Sequence, residues 1–174
     1  MSTQSLLADH QTRATLGGFT LLELLVCLSV LALLSTMAVP SFKAQTASAR
    51  AKGVAQSLMS AAMLARASAI RGAHPVRLCP AQAKCSGYYA SGFGVYRGTG
   101  DLLRQYAVAD GLHIGNRAGT RRADQVVTWD AGGIGNRNLT WVVCAQGGEP
   151  WAVVLNRVGR PRLERGIGRC LGSD

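Results

Sequence analysis

Lysine is scarce in this sequence, with only Lys43, Lys52 and Lys84 in a chain of 174 residues. Acids are scarce too: nine Asp and Glu stand against nineteen Lys and Arg, for a net charge of +10. Carboxylates so few and so scattered offer no paired acid–base site, which argues against hydrolytic chemistry of that kind. No P-loop, no H-E-x-x-H and no G-x-S-x-G is present, and "GGIGNRN" (132–138) lacks the spacing and following helix of a dinucleotide turn. It reads as a hairpin. Histidines are few and separated, and no C-x-x-C occurs, so a metal centre is not expected. Aromatics make up 6%. Repeats and long low-complexity tracts are missing. These absences point away from an enzyme and from a metal- or cofactor-dependent protein.

What is abundant is arginine and glycine. Arginine binds planar anions through two parallel hydrogen bonds and stacks on bases, so its excess favours phosphate recognition. Arginine-rich codon usage would give the same overall bias, although it does not explain local clusters. The 21 glycines suggest many turns and short strands.

One long apolar run is present. From Phe19 to Val39 the only charged residue is Glu23. The run is long enough to span a membrane as a helix. Pro40 ends it, and Lys43, Arg50 and Lys52 follow. A secretory signal would have a shorter core with small residues after it. Here Gly17 and Gly18 come before it. Cleavage after Gly18 would remove a polar leader and retain the apolar helix. It would also free an amine on Phe19, four residues from Glu23 and on the same helical side. A carboxylate at membrane depth costs about 2.5–3.5 kcal/mol on insertion scales, so a cationic partner in the same or a neighbouring subunit has a clear benefit.

Gly18-Phe19-Thr20-Leu21-Leu22-Glu23-Leu24 resembles the processing site of type IV prepilins and pseudopilins. The resemblance implies a peptidase that cuts after Gly18 and methylates Phe19, and mature helices packed in a filament core. Pro40 stands where many pilins carry a kinking proline. The implied organisation is a leader over 1–18, a membrane and filament-core helix over 19–39, its amphipathic continuation over 40–72, and a β-rich globular domain over 73–174. The implied location is the bacterial inner membrane with the globular domain in the periplasm, then the pilus or cell surface. Implied partners are other pilins and the prepilin peptidase.

Residues 41–71 contain no proline. Val54, Leu58, Ala61, Ala62 and Ala65 recur at helical steps, widened by Met59, Met63 and Ile70, which predicts an amphipathic helix packed on a sheet. Gly53 and Pro40 are weak points, and Gly72 and Pro75 close the helix. Beyond Pro75, short Val- and aromatic-rich segments at 75–79, 93–97, 102–108, 125–130, 139–145 and 151–156 read as antiparallel strands in two layers. Trp129, Trp141 and Trp151 lie on them and are expected in the core. Residues 109–124 are expected as an irregular loop whose Arg117, Arg121 and Arg122, opposed by Asp124, are solvated or extend the basic surface.

Cys27 falls in the apolar run. Cys79, Cys85, Cys144 and Cys170 permit three disulfide connectivities. Proximity favours Cys79–Cys85, which leaves Cys144–Cys170 to tie the tail to a strand.

The order of "RASAI", "PVRLCP…C", "VTWDAGGIG", "LTWVVC" and "VVLNRVGRPR" resembles the GspH/FimT branch of minor pilins over about residues 17–170. It implies an α+β, pilin-like fold with a long N-terminal helix on small antiparallel sheets. The final segment carries Arg157, Arg160, Arg162, Arg165 and Arg169. Arg160 and Arg162 are two apart, so an extended chain turns both to one side. Pro161 withholds an N–H from strand pairing. "GRPR" (159–162) resembles the Gly-Arg-x-Arg element of the DNA-binding FimT-type minor pilins of natural transformation. By that resemblance Arg160 and Arg162 bind DNA, without sequence specificity. Arg157, Arg165 and Arg169 assist by charge alone. The competing readings are a basic strand edge that discourages aggregation and a structural pseudopilin of type II secretion, or a pilus-assembly initiator, with no DNA ligand.

Overall fold

The computed structural model describes residues 20–81, 85–98 and 100–171. Gly18 and Phe19 lie outside them. The backbone divides into two compact units, Met1–Ala38 and Val39–Asp174.

Helix α1 runs from Leu21 to Gly72 with Pro40 inside it, so neither Pro40 nor Gly53 ends it. Thr20 caps its start: its Oγ1 accepts the Glu23 N–H at 3.2 Å, and its carbonyl accepts the Leu24 N–H at 3.1 Å. Thr20-x-x-Glu23 is the spacing of a capping box, which satisfies donors that the first helical turn leaves free. In the first unit the helix is apolar and exposed, with a mean hydropathy of 2.3 over its most apolar window. By length and composition it can cross a membrane.

In the second unit the helix is an alanine stripe. Ala51, Ala55, Leu58, Ala61, Ala62, Ala65 and Ala69 are fully buried, whereas Met63 and Ile70 are about half exposed. Leu58, Ala61, Ala62 and Ala65 of the expected stripe are therefore core, with Val54 and Met59 packed beside them, and Ala51, Ala55 and Ala69, not Met63 and Ile70, extend it. Alanine lets a helix backbone approach a sheet closely, and apart from Leu58 and Tyr89 the large side chains of the core come from the strands.

Eight strands follow: β1 Val76–Pro80, β2 Phe93–Arg97, β3 Leu102–Tyr106, β4 Leu112–Gly115, β5 Val127–Trp129, β6 Leu139–Ala145, β7 Trp151–Leu155 and β8 Pro161–Arg165. They form two four-stranded sheets of order β3-β2-β1-β5 and β4-β6-β7-β8, with every pairing antiparallel. Residues 109–124 are not wholly irregular, since β4 lies within them. Ile114 supplies the apolar anchor that pulls this segment into the core.

Most of the core is one cluster, and a smaller second cluster of Val142, Cys144 and Ala152 lies on the other side of the β4–β8 sheet. Val76, Leu78, Phe93, Val127 and Trp129 come from the first sheet, and Trp141, Val143, Val153 and Leu155 from the second. Among the described residues none before Ala51 belongs to the core, so the described core lies within Val39–Asp174. Trp129 and Trp141 are fully buried, and Trp151 is half-buried. "GGIGNRN" does fold back on β5, through a Trp129–Gly135 bridge, but it then carries the chain across to β6 in the other sheet. Disulfides join Cys79 to Cys85 and Cys144 to Cys170.

Candidate nucleic-acid interface

The basic tail begins as a turn. Asn156-Arg157-Val158-Gly159 connects β7 to β8, with the Gly159 N–H donating to the Asn156 carbonyl at 3.0 Å. The Asn156 side chain tightens it further, its Oδ1 accepting the Arg160 N–H at 2.8 Å. Gly159 has φ +73°, a conformation that side chains resist. Its carbonyl accepts the indole N–H of Trp129 at 2.9 Å in the protein interior. A Cβ at Gly159 would stand 2.4 Å from that same indole nitrogen. The glycine of "GRPR" is thus held by conformation, by a buried hydrogen bond and by lack of space.

Arg160 closes this turn, and Pro161 opens β8, the outermost strand of its sheet. Arg157, Arg160 and Arg162 are exposed. Arg162 and Glu164 share one side of β8, two residues apart, and their side chains pair at 2.5 Å. Arg165 lies at the other end of the strand and pairs with Glu149 at 2.6 Å. The five tail arginines therefore do not form one cluster. Arg157, Arg160 and Arg162 gather at the start of β8, about 16 Å of extended chain separates Arg160 from Arg165, and Arg169 lies beyond.

After β8 the chain becomes a strap over the outer side of the sheet. Ile167 and Cys170 pack on Val142, Cys144 and Ala152, and the Cys144–Cys170 bond fastens them. The Arg169 N–H donates to the Arg117 carbonyl at 3.1 Å. The strap thus joins the tail to the loop after β4.

That loop repeats the chemistry of the tail turn. Asn116-Arg117-Ala118-Gly119 matches Asn156-Arg157-Val158-Gly159 in the identity and order of Asn, Arg and Gly. The Gly119 N–H donates to the Asn116 carbonyl at 3.1 Å, and Gly119 has φ +71°. Asn116 Oδ1 accepts the N–H groups of Thr120 and Arg121 at 3.0 and 3.2 Å. Both β4 and β7 run antiparallel to β6, so they run the same way and both turns lie at one end of the sheet. Gly115 lies opposite Val142 and Leu155 opposite Leu139, so two strand spacings and three residues along β6 separate the turns, about 14 Å. The sequence leaves Arg117 either solvated or an extension of the basic surface, and the turn geometry favours the second. The recurrence of Asn-Arg-x-Gly was the signal that would have related the two turns.

The start of β6 lies between the two turns. A cleft of about 280 Å³ opens there, lined by the loop from Gly115 to Gln125 and by Leu139, Thr140 and Trp141. Behind it the Tyr89 hydroxyl lies within bonding distance of the Leu78 and Gln125 carbonyls, at 3.0 and 2.9 Å. Burial pushes this phenol well above its ordinary range, opposed by the charge of Arg137 and reinforced by Asp124. It remains a neutral donor. Arg122 sits over the ring of Tyr88 at 5.5 Å.

A capped apolar helix, continued by an alanine stripe under two small antiparallel sheets, defines a pilin-type subunit. Residues 54–159 match the family model described as type II transport protein GspH, and residues 17–39 match the prokaryotic N-terminal methylation motif. The chain belongs to the GspH family of minor pilins and pseudopilins. The type IV minor pilin FimU of Pseudomonas aeruginosa is similar in fold at 16% identity, with a TM-score of 0.54 over 69% of this chain and 93% of that one. The minor pseudopilin EpsH of the type II secretion system of Vibrio cholerae is similar at 17% identity, with a TM-score of 0.51 over 70% and 97%. No curated protein sequence matches the chain. Membership implies interaction with other pilins and, through the methylation motif, with a prepilin peptidase. The motif and the apolar helix fit membrane anchoring and assembly into a filament.

Proposed function

We propose that this minor pilin captures extracellular DNA, without sequence specificity, for uptake in natural transformation. The observation that carries the reading is the pair of asparagine-clamped turns at one end of the β4–β8 sheet. They hold Arg117, Arg157 and Arg160 outward on pre-ordered backbone, beside Arg162. Ordering a flexible arginine-rich tail would cost affinity, and a clamped turn has met most of that cost before DNA arrives. Phosphate contacts need no base readout, so arginines at fixed spacing suffice for non-specific binding.

The same reading assigns the ends of the chain. Residues 1–18 are a leader removed after Gly18, and the amine freed on Phe19 is neutralised by Glu23. Residues 19–39 form the membrane and filament-core segment, residues 40–72 its amphipathic continuation, and residues 73–174 the periplasmic and then surface-exposed domain. Arg165 and Arg169 are auxiliary.

The second reading is a structural minor pseudopilin of type II secretion, or an assembly initiator. Two observations favour it. Glu164 and Glu149 partly neutralise Arg162 and Arg165, and the likeness to EpsH is nearly as strong as that to FimU.

Fluorescence anisotropy of residues 39–174 with labelled duplex DNA across a salt series separates the two. DNA capture predicts binding at low salt whose logarithm falls by about 0.9 per phosphate contact. Arg160→Gln with Arg162→Gln should weaken binding and flatten that slope by about 1.8. Absence of binding at low salt leaves the structural role.

A further inference from the structure

The β4–β8 sheet does not end at β4. The Ala123 N–H donates to the Ile114 carbonyl at 2.8 Å, the Asn116 N–H donates to the Arg121 carbonyl at 3.0 Å, and Gly115 bridges to Arg122. The Tyr89 N–H donates in turn to the Ala123 carbonyl at 2.9 Å. Residues 121–123, and then 88–89, thus lie outside β4 like two further short strands. Ile114, Ala123 and Tyr89 belong to the core. Their neighbours His113, Arg122 and Tyr88 are exposed and turn to the outer side. The Tyr88 backbone is extended, with φ −122° and ψ 148°. On β8, Leu163 packs on the core, so Arg162 faces the same outer side. Five strand spacings carry this face from β8 to Tyr88, about 24 Å. That is no more than about seven nucleotides of a DNA strand.

Among the described residues of 73–174, Tyr88 is the one exposed aromatic, at 43%. The Arg122 guanidinium covers one face of its ring, 5.5 Å from the centroid and within cation–π range. Neither Arg121 nor Arg122 is ion-paired among the described residues. Both line an open hollow with His113, Thr120 and Leu171. Asp124 is the neighbouring acid and offsets part of their charge. An exposed aromatic ring beside unpaired arginines is the combination that holds a single strand: the ring stacks on a base and the cations meet phosphates. Every base has a π-face, so such a platform reads no sequence.

We propose that Tyr88, backed by Arg122, is a stacking platform for one base of single-stranded DNA. The base lies on the ring face that Arg122 leaves free, and the adjoining phosphates meet Arg121 and Arg122. The strand then continues across the outer side of the sheet toward Arg162. The inference rests on the DNA-capture reading and extends it. The clamped turns hold the backbone of duplex or single strand alike, and the platform adds a preference for strands with unpaired bases.

The test uses the full chain in mild-detergent micelles and reads anisotropy of labelled oligothymidine, an abasic strand of the same length and blunt duplex. Tyr88→Ala should weaken oligothymidine binding about five- to a hundredfold, the range for one stacked base, and leave its salt slope unchanged. Tyr88→Phe should keep wild-type affinity. Abasic strand and blunt duplex should bind Tyr88→Ala as they bind wild type. Arg121→Gln with Arg122→Gln should instead flatten the single-strand salt slope by about 1.4. A second measurement keeps the side chain in place. In a chain labelled with fluorotyrosine, the ¹⁹F resonance of Tyr88, assigned by Tyr88→Phe, should shift with oligothymidine and not with abasic strand. The platform is overturned if Tyr88→Ala binds oligothymidine like wild type, if it loses as much on abasic strand or duplex, or if the Tyr88 resonance ignores oligothymidine. If blunt duplex still binds through Arg160 and Arg162 in those cases, DNA capture stands and only the platform fails. If no probe binds wild type at low salt, both fail.

Discussion

Gly159→Ala is the sharpest perturbation of the tail, because a matched control exists. Two costs add at Gly159. The first is conformational: its φ of +73° places an alanine in the left-handed region, at about 1–2 kcal/mol. The second is steric and polar. The new Cβ would lie 2.4 Å from Trp129 Nε1 and 2.7 Å from the Gly135 nitrogen. Trp129 must then move, and its buried N–H loses the Gly159 carbonyl, at about 1–3 kcal/mol. The sum is about 2–5 kcal/mol. For a domain of this size that lowers the midpoint of thermal unfolding by about 6–20 °C. Gly147 has the same φ of +73°, and a methyl carbon added there would meet nothing within 4 Å, so Gly147→Ala bears only the first cost, about 1–2 kcal/mol. Circular dichroism melts of residues 39–174 carrying each change measure the difference. Equal midpoints for the two variants would refute the claim that Trp129 anchors the Gly-Arg turn.

Three further outcomes are expected. Replacing both Cys144 and Cys170 by Ala opens a loop with a sequence separation of 26, against 6 for Cys79–Cys85; chain-entropy arguments give about 3.5 and about 2.4 kcal/mol, so denaturant titration should find the tail bridge the costlier loss. Glu164→Gln frees Arg162 from its ion pair and should tighten duplex DNA binding about two- to fourfold by anisotropy, since exposed pairs are worth no more than about 1 kcal/mol. Tyr89 has its phenol raised above its ordinary 10.0 by burial. Below pH 10 folded and unfolded chains both hold that proton, and above it the unfolded chain releases its own first. Stability should therefore fall above pH 10 by about 1.4 kcal/mol per pH unit from this group, and Tyr89→Phe should remove that component in melts taken across alkaline pH.

The fold was legible where a pattern is local. The apolar run, the alanine-rich helix, six strands and the tail segment after the sixth all announce themselves through period and punctuation. The helical stripe was legible only in outline, because Met63 and Ile70 look more like core residues than Ala51 or Ala69. Which small residues touch a sheet depends on the sheet, not on the helix. β4 was missed because Leu112 and Ile114 are two apolar residues amid glycines and charges, and only pairing with β6 makes them a strand. At the interface, the exposure of Arg160 and Arg162 and the Arg162–Glu164 pair two residues apart on one strand could be expected, but the acid that meets Arg165 could not. Glu149 is sixteen residues from Arg165 and reaches it only through the β7–β8 register.

The two Asn-Arg-x-Gly turns argue that the basic end of the sheet is built rather than incidental. A solvated arginine needs no clamp. Here each turn has its asparagine side chain tied to downstream N–H groups and its glycine in a left-handed conformation. Each turn is also held from outside, one by the Trp129 indole and the other by the Arg169 N–H of the strap. Codon bias can multiply arginines, yet it does not supply the asparagine and glycine at matching offsets. The strap ties the two readings of the tail together. By crossing from β8 to the Asn116 turn it uses a disulfide-fastened segment to brace a loop from a distant part of the chain. Loss of the strap should therefore loosen Arg117 as well as Arg169, and the Cys144 and Cys170 double replacement should weaken DNA binding more than Arg169→Gln does alone.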